Sequence, residues 1–187
     1  ILHIHQAVAV EIENVTLTEG YAFCALFEPE EDALSGGAIL NLGTLNISNA
    51  IISESAAGDG GTMSGGSGDG GGIANWGVLY IENSIVQGNH AGTGEFSRSG
   101  DGGGIANFGT LTARNTYLSN NRSGFPTFYK CAAFGGNGGA IMNAGQMALF
   151  DSTVHSNLTP SGSKGGSGGG IYNTCLLYTS DAADEWL

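Results

Sequence analysis

Six times along the chain an isoleucine is followed, two residues on, by an amide: Ile4 and Gln6, Ile39 and Asn41, Ile73 and Asn75, Ile105 and Asn107, Ile141 and Asn143, Ile171 and Asn173. Successive isoleucines lie 35, 34, 32, 36 and 30 residues apart, so the repeat length varies. Yet each of the first five stands ten residues before a second polar column, Asn14, Asn49, Asn83, Asn115 and Asp151. A fixed segment followed by an elastic one is the pattern of stacked coils whose loops leave the stack on one side. Helical repeats do not fit, because no window holds a 3.6-residue period of adequate length.

The third repeat, GGGIANWGVLYIENSIVQGN from Gly70 to Asn89, gives the shape of one coil. Ile73 and Asn75 share a parity, so a strand through them points both side chains the same way. Gly77 permits a corner, Leu79 and Ile81 alternate with Tyr80 and Glu82, Asn83 marks another corner, and Val86 anchors a third short strand. The inward positions of the second strand read Val10/Ile12, Leu45/Ile47, Leu79/Ile81, Leu111/Ala113 and Met147/Leu149, and those of the third read Leu17, Ile52, Val86, Leu118 and Val154. Like residues recurring at like positions are what in-register parallel coils require. The expected fold is therefore all-β: a right-handed parallel β-helix over residues 1–174, of about five coils, each with three short strands and one variable loop. Asn at a corner tolerates left-handed φ, and stacked side-chain amides hydrogen-bond from coil to coil, so the asparagine columns read as structural ladders.

Charge narrows the partners. Five Lys and Arg against 17 Asp and Glu give a net charge of −12, and no basic stripe offers a track for a phosphate backbone, so nucleic acid is not expected. No apolar run approaches the roughly 18 residues of a membrane-spanning helix. Glycine reaches 34 residues, but periodic aliphatics punctuate it, which argues for a folded repeat rather than a disordered tract. Cys24, Cys131 and Cys175 form no disulfide framework; the first two fall in loops three coils apart, about 14 Å along such a stack.

Few residues suggest chemistry. Asp69 and Asp101 occupy equivalent Gly-Asp-Gly turns whose oxygens could hold Ca²⁺, although a turn-forming role is the plainer reading. Trp76 and Phe108 share a corner column with Leu42, Ala144 and Thr174, and would form either an aromatic ladder or a platform for a sugar ring. The loop from Ser123 to Asn137 is rich in aromatics, with Phe125, Phe128 and Tyr129 as candidate contacts for a glycan or protein, or as a cover over the stack. Arg114, in the outward column Glu13, Ser48, Glu82, Arg114 and Phe150, is expected to pair with Glu82 across adjacent strands. No catalytic residue is assigned.

At these residues the chain resembles the repeats of bacterial cell-surface β-helix proteins with a pectate-lyase-like superhelix, whose repeats read GGGIxNxGxLxIxNSxIxxN. Gly36-Gly37-Ala38-Ile39 and Gly138-Gly139-Ala140-Ile141 also resemble the GGAI motif of polymorphic outer-membrane proteins. Those proteins pair it with FxxN, which stands here as Val86-Gln87-Gly88-Asn89, Leu118-Ser119-Asn120-Asn121 and Val154-His155-Ser156-Asn157, with an aliphatic in place of Phe. The resemblance implies an extracellular or cell-surface location, including the outer membrane, and a glycan or a neighbouring cell-surface protein as partner. It covers residues 2–174 and is specific for fold, since one superhelix hosts adhesins, passengers, lyases and hydrolases. The expected function is a non-catalytic stalk or adhesin-like scaffold; the alternative is a segment of a polysaccharide lyase or glycoside hydrolase whose catalytic coils lie elsewhere. Residues 175–187 break the pattern, with Cys175 where Gly is expected, and resemble the CLLYTSDAADE string produced when sequencing-adapter DNA is translated. They are expected to lie outside the coils, and the chain as a whole reads as a segment of a longer protein.

Overall fold

A computed structural model describes residues 1–23, 33–60, 66–94, 98–126, 134–160 and 165–180. Among these described residues seventeen strands follow one another in chain order. The first turn holds Leu2–Ile4 (β1), Ala9–Glu13 (β2) and Thr16–Thr18 (β3), and the second Ile39–Asn41 (β4), Thr44–Ser48 (β5) and Ile51–Ser53 (β6). Ile73–Asn75 (β7), Val78–Glu82 (β8) and Ile85–Gln87 (β9) make the third, and Ile105–Asn107 (β10), Thr110–Arg114 (β11) and Tyr117–Ser119 (β12) the fourth. Ile141–Asn143 (β13), Gln146–Phe150 (β14) and Thr153–His155 (β15) come next, before Ile171–Asn173 (β16) and Leu177–Ser180 (β17). No helix occurs among the described residues.

Every pairing between strands is parallel, and each strand pairs with its equivalents in the repeats before and after. Three sheets result: β1-β4-β7-β10-β13-β16, then β17-β14-β11-β8-β5-β2, then β15-β12-β9-β6-β3. This is a parallel β-solenoid. Its regular stack amounts to about four turns rather than the expected five. The four run from β4 to β15; β1–β3 flank them on one side, and β16 with β17 on the other. The difference reflects coverage: every second residue of β2 is exposed and the rest are only half-buried, whereas the inward residues of β8 and β11 are fully buried.

The interior is built from the aliphatic columns. Ile39, Ile73, Ile105 and Ile141 are all fully buried, and they meet Leu45, Leu79, Leu111 and Met147 from the second sheet and Ile52, Val86 and Leu118 from the third. Burying one such side chain is worth about 1.5–3 kcal/mol, and the columns repeat that gain in every turn. Because the stack is in register, Ile105 lies between Ile73 and Ile141, and Leu111 between Leu79 and Met147.

Two of the asparagine columns perform different jobs. Asn14, Asn49, Asn83, Asn115 and Asp151 all have φ between 45° and 55°, the left-handed conformation that turns the chain out of the second sheet. Asn41, Asn75, Asn107 and Asn143, by contrast, point inward and are fully buried. There Nδ2 of Asn41 donates to Oδ1 of Asn75 at 2.7 Å, Asn75 to Asn107 at 2.7 Å, Asn107 to Asn143 at 2.6 Å, and Asn143 to Asn173 at 2.7 Å. The second Nδ2 proton reaches a carbonyl at the start of the second strand of the next turn, Val78 for Asn41, Thr110 for Asn75 and Gln146 for Asn107. A buried amide without partners would be strongly destabilising; here each one satisfies its neighbours.

The first repeat departs from the expected alignment. Leu2, not Ile4, aligns with Ile39, and Ile4 lies opposite Asn41. Two extra residues around the turn at Gln6 and Ala7, where Ala7 has φ of 62°, occupy a corner that other turns make with a residue and a glycine such as Leu42-Gly43. Gln6 therefore stays out of the amide ladder, and buried Ile4 covers its end. The described part of the tail, 175–180, does not lie outside the coils as expected, and residues 181–187 lie outside the described residues. Leu177–Ser180 continues the second sheet, with Met147 opposite Leu177 and Phe150 opposite Ser180. Cys175 is exposed, and Thr174 N–H donates to Asn143 O as the corner residues of earlier turns do.

Replacing Asn107 with Leu would leave one Nδ2 proton of Asn75 without its acceptor and Asn143 Oδ1 without its donor, two buried groups at about 1–3 kcal/mol each. Urea denaturation should therefore show a loss of roughly 2–4 kcal/mol. At the left-handed corner, Asn49→Gly should stay within about 0.5 kcal/mol of the wild type while Asn49→Val costs about 1–2 kcal/mol. Equal losses for the two Asn49 variants would contradict the conformational role.

Candidate functional site

Trp76 and Phe108 follow β7 and β10 directly, so equivalent corners place them one turn apart. Their rings stack with centroids 4.6 Å apart and 17° between planes. Trp76 is exposed and Phe108 half-buried, so the pair both ties two turns together and presents one aromatic face to solvent. Leu42 and Ala144 occupy the same column on either side, as the corner hydrogen bonds to Ile4 O and Asn107 O require.

Asp69 and Asp101 form part of a loop column with Ser35, Asn137 and Ser167. In it, each side-chain oxygen accepts a backbone N–H from the next turn: Ser35 from Asp69 at 3.0 Å, Asp69 from Asp101 at 2.7 Å, Asp101 from Asn137 at 2.7 Å, and Asn137 from Ser167 at 2.8 Å. Asp101 is 1% exposed and pairs with Arg98. These oxygens are thus directed along the stack, and among the described residues no group of three or more His, Cys, Asp and Glu is arranged to hold a metal ion. Burial lifts the Asp101 carboxyl above its ordinary 3.8, while the Asn137 backbone hydrogen bond and the Arg98 charge pull it partly back.

The outward face of the second sheet carries a shallow groove of about 420 Å³ across β2, β5, β8 and β11. Its lining includes Glu11, Glu13, Asn46, Tyr80, Glu82 and Arg114. Strand alternation aims these side chains away from the core while Leu79 and Ile81 fill it. Arg114 and Glu82 are register partners, but the expected pairing is not the one formed. The guanidinium turns instead toward Asp151 at 3.9 Å and lies over the Phe150 ring, 4.6 Å from its centroid. A planar cation gains from the ring face on the neighbouring turn, and Asp151 at the corner lies on that same side.

Of the loop aromatics, Phe125 is half-buried beneath the Arg122 guanidinium, 4.3 Å from its ring centroid, and it sits far from Trp76 in the repeat. Phe128 and Tyr129 lie outside the described residues, as do Cys24 and Cys131. The candidates thus divide into an exposed aromatic pair at one corner, an acidic groove with one arginine on the second sheet, and Phe125 at the loop side. Sequence reading missed Glu11 and Glu13 as groove residues, although their column alignment with Asn46 and Ser48 was available from the repeat.

The fold and these surfaces define a parallel β-solenoid repeat protein. No family model, no curated protein and no solved structure matches the chain in comparisons with each.

Because folded Asp101 holds its proton more tightly than the unfolded chain does, its contribution to stability is full at pH below the ordinary carboxylate range. That contribution is lost as pH rises through the raised value. Asp101→Asn keeps an acceptor for Asn137, and Asn already serves in this column at 137. Denaturation from pH 4 to pH 8 should show the variant with a flatter pH profile and stability at neutral pH equal to or above the wild type. A variant that weakens as pH rises, in parallel with the wild type, would contradict the role given to burial.

Proposed function

We propose that this chain is a rigid, non-catalytic segment of a secreted or cell-surface bacterial protein, a β-solenoid stalk or adhesin-like scaffold. The observation that supports it is where the polar side chains go. Asparagine, serine and aspartate oxygens along three lines of the stack accept hydrogen bonds from an adjacent turn, instead of converging on an open cleft. That arrangement favours length and stiffness, because each added turn repeats the same bonds. A glycan or a protein of a neighbouring cell would meet the outer surfaces, with Trp76 and Phe108 as an aromatic platform. Calcium at Asp69 and Asp101 would have to displace the hydrogen bonds these carboxylates already accept.

A second reading, part of a polysaccharide lyase or glycoside hydrolase, draws on one observation: Glu11, Glu13, Glu82 and Arg114 line a single groove. Carboxylates with a nearby cation are the components such chemistry uses. Incubating the chain with acidic and neutral polysaccharides, with and without Ca²⁺, and following unsaturated products and new reducing ends separates the readings. The scaffold predicts no turnover. Turnover lost in Glu82→Gln, or Ca²⁺-dependent turnover lost in Asp69→Ala or Asp101→Ala, would replace it with the enzymatic reading.

A further inference from the structure

On the loop side of the stack a second, smaller cleft of about 240 Å³ runs along the solenoid axis. One wall is a column of residues that each follow a ladder position. Tyr21, Ala56, His90, Arg122 and Leu158 join successive turns by parallel bridges, so their side chains point the same way. Within that column Ala56 is the smallest side chain, and it opens a gap between Tyr21 and His90. The floor is small and buried, made by Ala57, Ala91 and Ser123. The opposite wall holds Asp59, Thr93 and Phe125.

The polar groups around this cleft are unevenly satisfied. Thr93 donates both its backbone N–H and its hydroxyl to Asp59 Oδ1, each at 2.8 Å. Arg122 differs: its Nε is buried without a hydrogen-bond partner, and among the described residues its guanidinium has no ion pair. It rests on the Phe125 ring, which holds the fork in place across the cleft. In a chain with five Lys and Arg against 17 Asp and Glu, a guanidinium that forms no ion pair among the described residues, beside an apolar floor, is unusual.

We propose that this cleft binds a small monocarboxylate with an apolar body. The carboxylate accepts from the terminal Nη groups of the Arg122 fork, beside the His90 ring. The apolar part lies along Ala56, Ala57 and Ala91 toward Tyr21. Planar, two-oxygen recognition is what a guanidinium does best, and the alanines leave room for a body one ring wide. Asp59 on the facing wall sets the selectivity: a second carboxylate reaching along the cleft meets a like charge, so dicarboxylates are disfavoured. The site is separate from the second-sheet groove and does not depend on whether the chain is a scaffold or part of an enzyme.

The test uses 3-phenylpropionate as probe, with 3-phenylpropanol as the neutral analogue and succinate as the dicarboxylate, read by titration calorimetry and ligand-observed NMR on the whole chain. 3-Phenylpropionate should bind with a Kd near or below about 1 mM. The alcohol and succinate should each bind roughly 10- to 100-fold more weakly, as expected for loss of a charge-assisted pair or addition of a repelled charge. Arg122→Gln should reduce 3-phenylpropionate affinity by a similar factor while leaving the circular dichroism spectrum unchanged. Equal binding of acid and alcohol by the wild type, or no saturable binding of the acid up to about 10 mM, would overturn the proposal without reliance on any variant.

Discussion

The solenoid depends on one constraint: where the chain turns, its backbone and inward polar groups must still find partners inside a stack only a few residues wide. Flat strands solve this with backbone pairing to the turns on either side. Corners cannot do so fully, and side chains fill the deficit. Asn89, Asn121 and Asn157 show the device most clearly. The Oδ1 of each accepts the backbone N–H of the residue one turn earlier, from Ser55 at 3.0 Å, Asn89 at 3.1 Å and Asn121 at 2.9 Å. Nδ2 of Asn89 and Asn121 in turn donates to Ile52 O and Val86 O. Ser55, Ser84 and Ser152 do the same for Gly20, Ala50 and Thr116 with their hydroxyls.

This constraint explains why repeat length varies chiefly in the loops, the first turn with its wider Gln6-Ala7 corner being the departure within the strand segment. The loops that follow Asn89 and Asn121 can differ in length, since the ladders on either side reset the register. Inside the segment, Gly102 and its equivalents Gly36, Gly70, Gly138 and Gly168 adopt φ between 65° and 76°. A Cβ there would collide with the carbonyl of the isoleucine three residues on, Ile105 in the case of Gly102. Corner glycines such as Gly77 face another limit, the carbonyl of Gly43 in the preceding turn.

Much of this was legible in the sequence because period and parity map directly onto a parallel stack. The aliphatic columns, the outward series Glu11, Asn46, Tyr80, Thr112 and Ala148, and the stacking of Trp76 on Phe108 all follow from counting residues. The first repeat was not legible, because Ile4 and Gln6 imitate the Ile–Asn pair while a wider corner shifts them by one inward position. Nor was the role of the tail, whose Leu177–Ser180 matches no motif yet pairs through its backbone, a contact that asks little of side-chain identity. Arg114 was assigned to Glu82 from register alone, and register does not say which way a long side chain leans. The Arg122 cleft lay hidden for a different reason: its column is visible only once each residue after a ladder position is compared across turns.

If coil-to-coil side-chain bonds hold the corners, the corner amides should be as protected as the strands. Native-state hydrogen exchange on the Ser55, Asn89 and Asn121 backbone amides measures this directly. The account predicts that they exchange only through the same cooperative opening as Ile73, Leu79 and Ile105, with matching free energies and the same dependence on denaturant. Corner amides that exchange orders of magnitude faster than those strand amides would contradict it, leaving the aliphatic columns to hold the solenoid without the ladders.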